Sequence, residues 1–250
     1  MSQNSKPTIL IVDNQSPYTK DIVKCIRKLG VRYTIKNWQS LFNASFSNED
    51  SKLDSKSRES YIHEESNGRL LSGHLVNTPR QRLGTELNSN SGGSSTIGYA
   101  GITHDNGKSF FDKVILSGRK ANEPKINAIN SQIIRQCLLG NIPLLGICYG
   151  AEILALTLGG SIKKMSRSIH ENIPITISKS SPLISKDSTP IFYESHKYCI
   201  SRLPEGFEPL ASSSYCKYEI FSFRTLFGTQ FHPEKSGIDG FNLLSNFVSM

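Results

Sequence analysis

Two short segments of the chain carry residues that together could perform nucleophilic chemistry. The first is Gly146-Ile-Cys148-Tyr-Gly150, in which a cysteine lies between two glycines at the end of an apolar run. This spacing is typical of a nucleophile elbow, a tight strand-to-helix turn that needs small residues two positions before and after the nucleophile. The helix that follows directs its N-terminal N–H groups at the sulfur and favours the reactive thiolate. By itself, the pentapeptide is equally compatible with a buried structural cysteine.

The second segment, Gly228-Thr-Gln-Phe-His-Pro-Glu234, offers the groups that a cysteine nucleophile needs. It begins 80 residues after Cys148 and ends a predicted strand. A thiol nucleophile requires a base within hydrogen-bond reach and a further group that orients the base. His232 and Glu234 are joined through a stiff proline, so both side chains can face one way. Each could be structural alone, but with the elbow they predict a Cys–His–Glu triad.

The elements that must position these residues follow an α/β pattern. An apolar strand at residues 8–12, a helix from Tyr18 to Leu29 and a strand at 31–36 form a β-α-β start, which favours a parallel sheet. The later pattern predicts helices around 126–137 and 149–158, and a C-terminal helix with Asp239 as its N-cap. Further strands are predicted at 113–116, 143–147, 173–177, 190–193, 207–212, 218–223 and 226–231. The predicted fold is α/β, an open, mostly parallel sheet flanked by helices.

Residues 44–108 interrupt this pattern. The segment is rich in serine and asparagine and has no sustained period of a helix or a strand. Such a long irregular stretch is improbable inside a compact domain, so we interpret it as a disordered insertion. Two short apolar islands, at 69–71 and 97–102, lie within it. The predicted organisation is a single domain over residues 1–250 with one insertion.

Composition excludes several classes of protein. The chain has 250 residues, 37% of them hydrophobic, and no apolar run of the roughly 18 residues that a membrane span requires. The polar N-terminus is unlike a secretory signal, and five cysteines without a C-x-x-C spacing favour a reducing cytoplasm. The net charge of +8 comes from dispersed lysines and arginines, without the aromatic residues of a nucleic-acid-binding strand. We therefore expect neither a membrane nor a nucleic-acid partner.

The two motifs together resemble those of the class I (triad) glutamine amidotransferases, which show G-x-C-x-G and later G-x-Q-F-H-P-E. The resemblance covers residues 7–43 and 109–250 and implies a flavodoxin-like sheet. It also implies that Cys148 is the nucleophile, His232 the general base and Glu234 the group that orients the base. The implied reaction is attack on the side-chain amide of glutamine, release of ammonia and hydrolysis of a γ-glutamyl thioester.

The same resemblance implies an oxyanion hole built from two backbone N–H groups. The Tyr149 N–H, directly after the nucleophile, is one donor, and the second comes from Gly118 or Arg119. The family usually has Ser-Gly-Gly-Pro in this loop, whereas this chain has Ser117-Gly118-Arg119-Lys120. A side chain at 119 restricts how that peptide can point. We therefore predict low basal glutaminase activity until a partner orders the loop.

Substrate-binding residues are also implied by the resemblance. Glu152 stands where the family commonly has a glutamine that holds the amino-acid head of the substrate. A carboxylate there can pair with an α-ammonium group but repels an α-carboxylate; the alternative is a glutamate exposed on the helix. The segment whose backbone cradles the substrate in the family corresponds to Ser195, His196, Lys197 and Tyr198.

Within the family, the sequence most resembles the glutaminase subunits of GMP synthase, through Gly159-Gly160 and Glu194-Ser-His196. No pyrophosphatase loop or P-loop occurs in the chain, so the implied partner is a separate ATP-pyrophosphatase synthetase subunit that consumes the ammonia. No cofactor and no metal is expected. Two alternatives remain open: a γ-glutamyl amide hydrolase that works without a partner, and a non-catalytic regulatory homologue.

Overall fold

The computed structural model describes residues 7–41, 102 and 109–250. The predicted insertion at 44–108, with its island at 69–71 and all of the island at 97–102 except Ile102, lies outside these residues. The strands are β1 (Thr8–Asp13), β2 (Arg32–Asn37), β3 (Lys113–Leu116), β4 (Leu144–Ile147), β5 (Ser161–Pro174), β6 (Thr176–Ile177), β7 (Ile191–Arg202), β8 (Glu208–Ser212), β9 (Ile220–Phe223) and β10 (Leu226–Thr229). The helices are α1 (Thr19–Lys28), α2 (Pro124–Leu139), α3 (Tyr149–Thr157) and α4 (Gly237–Ser249), with a 3₁₀ turn at Pro233–Lys235.

Eight strands form the main sheet in the order β2-β1-β3-β4-β10-β9-β8-β6. The four pairings from β2 to β10 are parallel, and the three from β10 to β6 are antiparallel. The central strands β3 and β4 are buried along their whole length, which explains their short, continuous apolar sequences. The predicted α/β fold with an open, mostly parallel sheet is confirmed.

Helices cover both faces of this sheet and enclose two apolar clusters. Residues of α1 and α4, such as Ile22 and Phe247, belong to one cluster, and residues of α2 and α3, such as Ile133 and Leu154, to the other. Helix α4 begins at Gly237, directly after Ser236. The prediction of Asp239 as its N-cap is therefore wrong. Instead, the Asp239 carboxylate accepts a hydrogen bond of 2.9 Å from the backbone N–H of Ile191 at the start of β7.

A separate antiparallel ribbon, β5 with β7, lies beside the C-terminal ends of the parallel strands. The sequence predicted only short strands at 173–177 and 190–193, so the length of this ribbon was missed. Most side chains of β5 are exposed or half-buried, and this leaves no apolar alternation for a pattern to detect. The ribbon matters because it carries Ser195 to the cysteine of the elbow.

Candidate active site

The elbow lies where β4 ends and α3 begins. Cys148 occupies this turn with φ 52° and ψ −104°, a conformation that L residues rarely adopt. A Cβ on Gly146 would lie 2.4 Å from the carbonyl oxygen of Gly150, and a Cβ on Gly150 would lie 2.4 Å from that of Leu116. Only glycine fits at both positions. The strained turn is held by a 2.8 Å hydrogen bond from the Cys148 N–H to the carbonyl of Thr229 in β10.

His232 and Glu234 follow β10, the parallel neighbour of β4, and this adjacency brings the two sequence motifs together. The backbone N–H of His232 donates to the carbonyl of Tyr193 at 2.8 Å, which ties the segment to the ribbon. Nδ1 of His232 lies 2.8 Å from Oε1 of Glu234, and both side chains are almost fully buried. The second carboxylate oxygen of Glu234 has no hydrogen-bond partner among the described residues. Because Oε1 of Glu234 accepts from the Nδ1–H of His232, the neutral imidazole keeps its unprotonated nitrogen, Nε2, for Cys148.

The imidazole of His232 interacts with the thiol of Cys148 closely enough for each group to shift the pKa of the other, and the thiol donates to the carbonyl oxygen of Ser195 at 3.9 Å. Burial raises the pKa of the Cys148 thiol, and the charge and hydrogen bond of His232 only partly offset this. Burial disfavours the imidazolium, but Glu234 and the Cys148 thiolate raise the pKa of His232 well above its ordinary value. Each partner thus stabilises the charged form of the other, as a nucleophile and its base require.

Gly118 and Arg119, the predicted oxyanion loop, lie beside this pair. A Cβ on Gly118 would be 3.1 Å from Cε1 of His232, so the loop backbone approaches the imidazole closely. Arg119 forms an antiparallel bridge with Gln15, just after the end of β1. Its guanidinium lies 4.1 Å from the ring centroid of Tyr149, the residue that opens α3. The side chain that replaces the usual glycine is therefore accommodated on Tyr149.

Glu152 is buried in the first turn of α3, so the alternative of an exposed glutamate is wrong. Its Oε1 accepts a hydrogen bond of 3.4 Å from Nε2 of Gln230. Burial raises the pKa of Glu152, while the charges of Arg119 and His196 lower it. An ionised Glu152 would place a negative charge close to the nucleophile.

The predicted substrate segment divides into two groups. Ser195 contacts the site through its carbonyl, whereas the buried His196 side chain points into the protein, with Nδ1 2.7 Å from the carbonyl of Tyr198. Lys197 is exposed and lies over the ring of Tyr198, 5.7 Å from its centroid. The structure therefore brings Ser195 to the nucleophile, while Lys197 and Tyr198 contact each other.

A buried carboxyl cluster beneath β7 was missed by the sequence analysis. Nε2 of His196 lies 2.7 Å from Oε2 of Glu194, and Ser213 donates to Oε1 of Glu219. The remaining oxygens, Oε1 of Glu194 and Oε2 of Glu219, are buried and have no hydrogen-bond partner among the described residues. Each carboxyl group shifts the pKa of the other, and a proton shared between them would give both oxygens a hydrogen bond.

The electrostatics of this cluster agree with a shared proton. Burial raises the pKa of Glu194 to about 7. Burial, together with the charge of Glu194, raises the pKa of Glu219 well above its ordinary value. Burial lowers the pKa of His196 despite the nearby Glu219. The pKa values of Glu194 and His196, which flank Ser195, are therefore both shifted toward the neutral forms of these groups.

Among the residues that the structure describes, no group of three His, Cys, Asp or Glu side chains is placed to hold a metal ion. Over the same residues, no helix has the length and apolar character needed to cross a membrane.

Comparison with known proteins agrees with the fold and identifies the family of the chain. Residues 99–249, more than half of the chain, match the family Glutamine amidotransferase class-I. The chain therefore belongs to the class-I glutamine amidotransferase family, and the family and enzyme class expected from the two motifs are confirmed.

Two relatives narrow the similarity within the family. GMP synthase (glutamine-hydrolysing) from Acetivibrio thermocellus is 35% identical over 143 residues, which cover 54% of this chain and 27% of the relative. A glutamine-hydrolysing GMP synthase subunit from Methanocaldococcus jannaschii is 32% identical over 141 residues, covering 55% of this chain and 72% of the relative. The chain thus matches about a quarter of the longer relative and most of the shorter one.

Solved structures show the same fold. A candidate GMP synthase subunit from Thermoplasma acidophilum has a TM-score of 0.65 at 21% identity, over 99% of this chain and 94% of its own. A glutamine amidotransferase from Thermotoga maritima has a TM-score of 0.55 at 15% identity, over 92% and 76% of the two chains. At these identities the likeness supports the fold alone.

Proposed function

We propose that this chain hydrolyses glutamine to glutamate and ammonia through a Cys148–His232–Glu234 triad. The observation that carries the proposal is the chain of contacts from the Glu234 carboxylate through the imidazole to a thiol on a strained elbow. This arrangement provides an activated nucleophile, a base and an orienting group for acyl transfer.

In the proposed reaction, Sγ of Cys148 attacks the side-chain carbonyl carbon of glutamine while Nε2 of His232 accepts the thiol proton. The imidazolium then donates that proton to the departing amide nitrogen, and ammonia leaves as the C–N bond breaks. Water attacks the γ-glutamyl thioester with His232 again as base, and glutamate is released with the thiol restored. Glu234 keeps its hydrogen bond to Nδ1 throughout and stabilises the imidazolium.

Backbone donors would stabilise the tetrahedral oxyanion. Tyr149 opens α3, so its N–H has no partner within the helix and lies next to the nucleophile. The second donor comes from Gly118 or Arg119, whose loop lies against His232. Loss of one such donor costs about 3–4 kcal/mol in the transition state. Because the donors lie on separate elements, low activity without a partner remains our prediction.

The ammonia would be passed to a separate synthetase subunit with ATP-pyrophosphatase activity, which aminates XMP to GMP. Support comes from the relatives, one of which is a glutamine-hydrolysing GMP synthase subunit that is matched over 72% of its length. Glutamine is the proposed substrate, and we propose that Glu152 and Ser195 contact its amino-acid head. Location in the cytoplasm remains a prediction.

Glutamate and ammonia release by the purified chain, with and without an ATP-pyrophosphatase subunit, tests this proposal. The Cys148→Ala variant should lose activity, whereas Cys25→Ala, which removes a thiol from α1, should retain it. Amine release from γ-glutamyl amides without ammonia from glutamine would favour the partner-independent hydrolase. Failure of Cys148 to react with a chloroketone analogue of glutamine would favour the non-catalytic homologue.

A further inference from the structure

Tyr18, which neither motif contains, touches the base of the proposed triad. It lies between β1 and α1, and its ring meets the imidazole of His232 edge-to-face, with centroids 4.8 Å apart and planes at 75°. This distance is within the range of favourable contacts between aromatic rings. Glu234 holds one edge of the imidazole, and Tyr18 packs on the ring from another side. The two contacts together restrict rotation of the imidazole.

The hydroxyl of Tyr18 contacts Ser195 in β7 of the ribbon. It lies 3.3 Å from Oγ of Ser195, the residue whose carbonyl oxygen faces the Cys148 sulfur at 3.9 Å. The same Oγ lies 3.1 Å from Nδ1 of His170 on the neighbouring strand β5. Ser195 is thus anchored from both sides, by Tyr18 and by the ribbon.

The backbone of Tyr18 is itself fixed. Its carbonyl accepts hydrogen bonds from Asp21 and Ile22 in the first turn of α1, at 2.9 and 3.2 Å. Its N–H donates to Oγ of Ser16 at 3.2 Å, and this hydroxyl would lie 3.2 Å from a Cβ on Gly118. Tyr18 is therefore part of a rigid turn that also borders the oxyanion loop.

We propose that Tyr18 is a positioning residue, whose ring holds His232 facing Cys148 and whose hydroxyl holds Ser195 beside the sulfur. The inference rests on the proposed function for its effect on catalysis. Its effect on the Cys148–His232 pair can be measured independently of any substrate. The ring contact keeps the imidazole of His232 aligned for proton transfer with Cys148. The hydroxyl contact keeps Ser195 in position next to the sulfur.

Two substitutions separate these contacts. Tyr18→Leu removes the ring face and the hydroxyl, whereas Tyr18→Phe removes only the hydroxyl. The first measurement is the rate of iodoacetamide alkylation of Cys148 against pH in the full chain, followed by mass spectrometry of the Cys148 peptide. The second is the kcat and KM of glutamine hydrolysis under the conditions in which the wild-type chain is active.

For Tyr18→Leu, we expect the alkylation midpoint to rise by roughly one pH unit, because a misaligned imidazolium stabilises the thiolate less. We also expect kcat to fall roughly 10- to 100-fold, the scale of a small misplacement of catalytic groups. For Tyr18→Phe, the midpoint should stay unchanged while KM rises about 2- to 10-fold, as for loss of one neutral hydrogen bond. A purely structural role would lower the amount of active protein without moving the midpoint.

Tyr33→Leu is the matched control, because Tyr33 lies on β2 with its hydroxyl bound by Arg27. It should leave the midpoint unchanged. If Tyr18→Leu keeps both the midpoint and kcat of the wild type, the positioning role is refuted while the proposed glutaminase stands. If the midpoint shifts but the wild-type chain releases no ammonia from glutamine, the positioning role holds and the proposed function fails.

Discussion

Glu219→Gln tests the shared proton of the buried carboxyl cluster. Glu219 is fully buried, and one oxygen of Glu219 and one of Glu194 have no hydrogen-bond partner among the described residues. A glutamine at 219 has nearly the same shape, and its NH₂ group can donate to Glu194 at every pH. Its carbonyl oxygen can still accept from Ser213, as the carboxylate does now. The substitution thus keeps the hydrogen bonds and removes one titrating group.

The magnitude follows from proton linkage. Burial raises the folded-state pKa of Glu219 well above its ordinary value, whereas the unfolded chain releases this proton at about pH 4.3. Below the unfolded-state pKa of about 4.3, Glu219 is protonated in both states and its full contribution to stability is present. As the pH rises from there toward the folded-state pKa, this contribution is lost. In the pH range where the folded state holds this proton and the unfolded state does not, the free energy of unfolding falls by about 1.4 kcal/mol per pH unit. Between pH 5.5 and 7.5 the wild type should therefore lose stability relative to Glu219→Gln, by up to about 3 kcal/mol.

Urea denaturation of both proteins at pH 5.5, 6.5 and 7.5 measures this difference. Glu208→Gln in β8 is the control, since Glu208 is exposed and pairs with Lys179 on the surface. Its difference from the wild type should stay small at all three pH values. A difference between Glu219→Gln and the wild type that does not change with pH would refute the shared proton.

Three further predictions concern the elbow and the substrate pocket. Gly150→Ala should lower the free energy of unfolding by about 3 kcal/mol and Tm by about 6–12 °C, because the new Cβ would clash with the Leu116 carbonyl. An unchanged melting curve would contradict the elbow geometry. Gly118→Ala should lower kcat about 10-fold with little change in Tm, because the new methyl group would displace the imidazole of His232. A loss of activity that is accompanied by a large drop in Tm would contradict this prediction. Glu152→Gln should raise the KM for glutamine about 10-fold if the carboxylate pairs with the α-ammonium, and an unchanged KM would exclude that contact.

Much of the sheet could be predicted because its central strands are buried on both faces. The run at 8–12 became β1 (Thr8–Asp13), and the helix predicted from Tyr18 to Leu29 is α1 (Thr19–Lys28). The β5–β7 ribbon escaped the same reasoning. Its side chains mix exposed and buried positions, and a register shift lies between Lys164 and Ile169, so no regular period marks its length.

The site was predictable where chemistry is local in sequence. The glycines around Cys148 and the two-residue spacing of His232 and Glu234 are visible without coordinates. Glu219 and Tyr18 were missed because each acquires its role only through distant partners. Glu219 meets Glu194 only once the chain has folded, and no sequence pattern marks a carboxyl group that keeps its proton.

Arg119 shows how a local departure from a family motif can have a wider effect. The sequence predicts only that a side chain at 119 restricts the loop peptide. In the structure, its backbone bridges Gln15, while its guanidinium packs on the ring of Tyr149 and donates to Oδ1 of Asn127 at 3.0 Å. The Tyr149 hydroxyl donates to the same oxygen at 2.9 Å. Tyr149 carries one proposed oxyanion donor, and the 118–119 loop carries the other. Because the Arg119 side chain connects this loop to Tyr149, a substitution at 119 should affect both donors together.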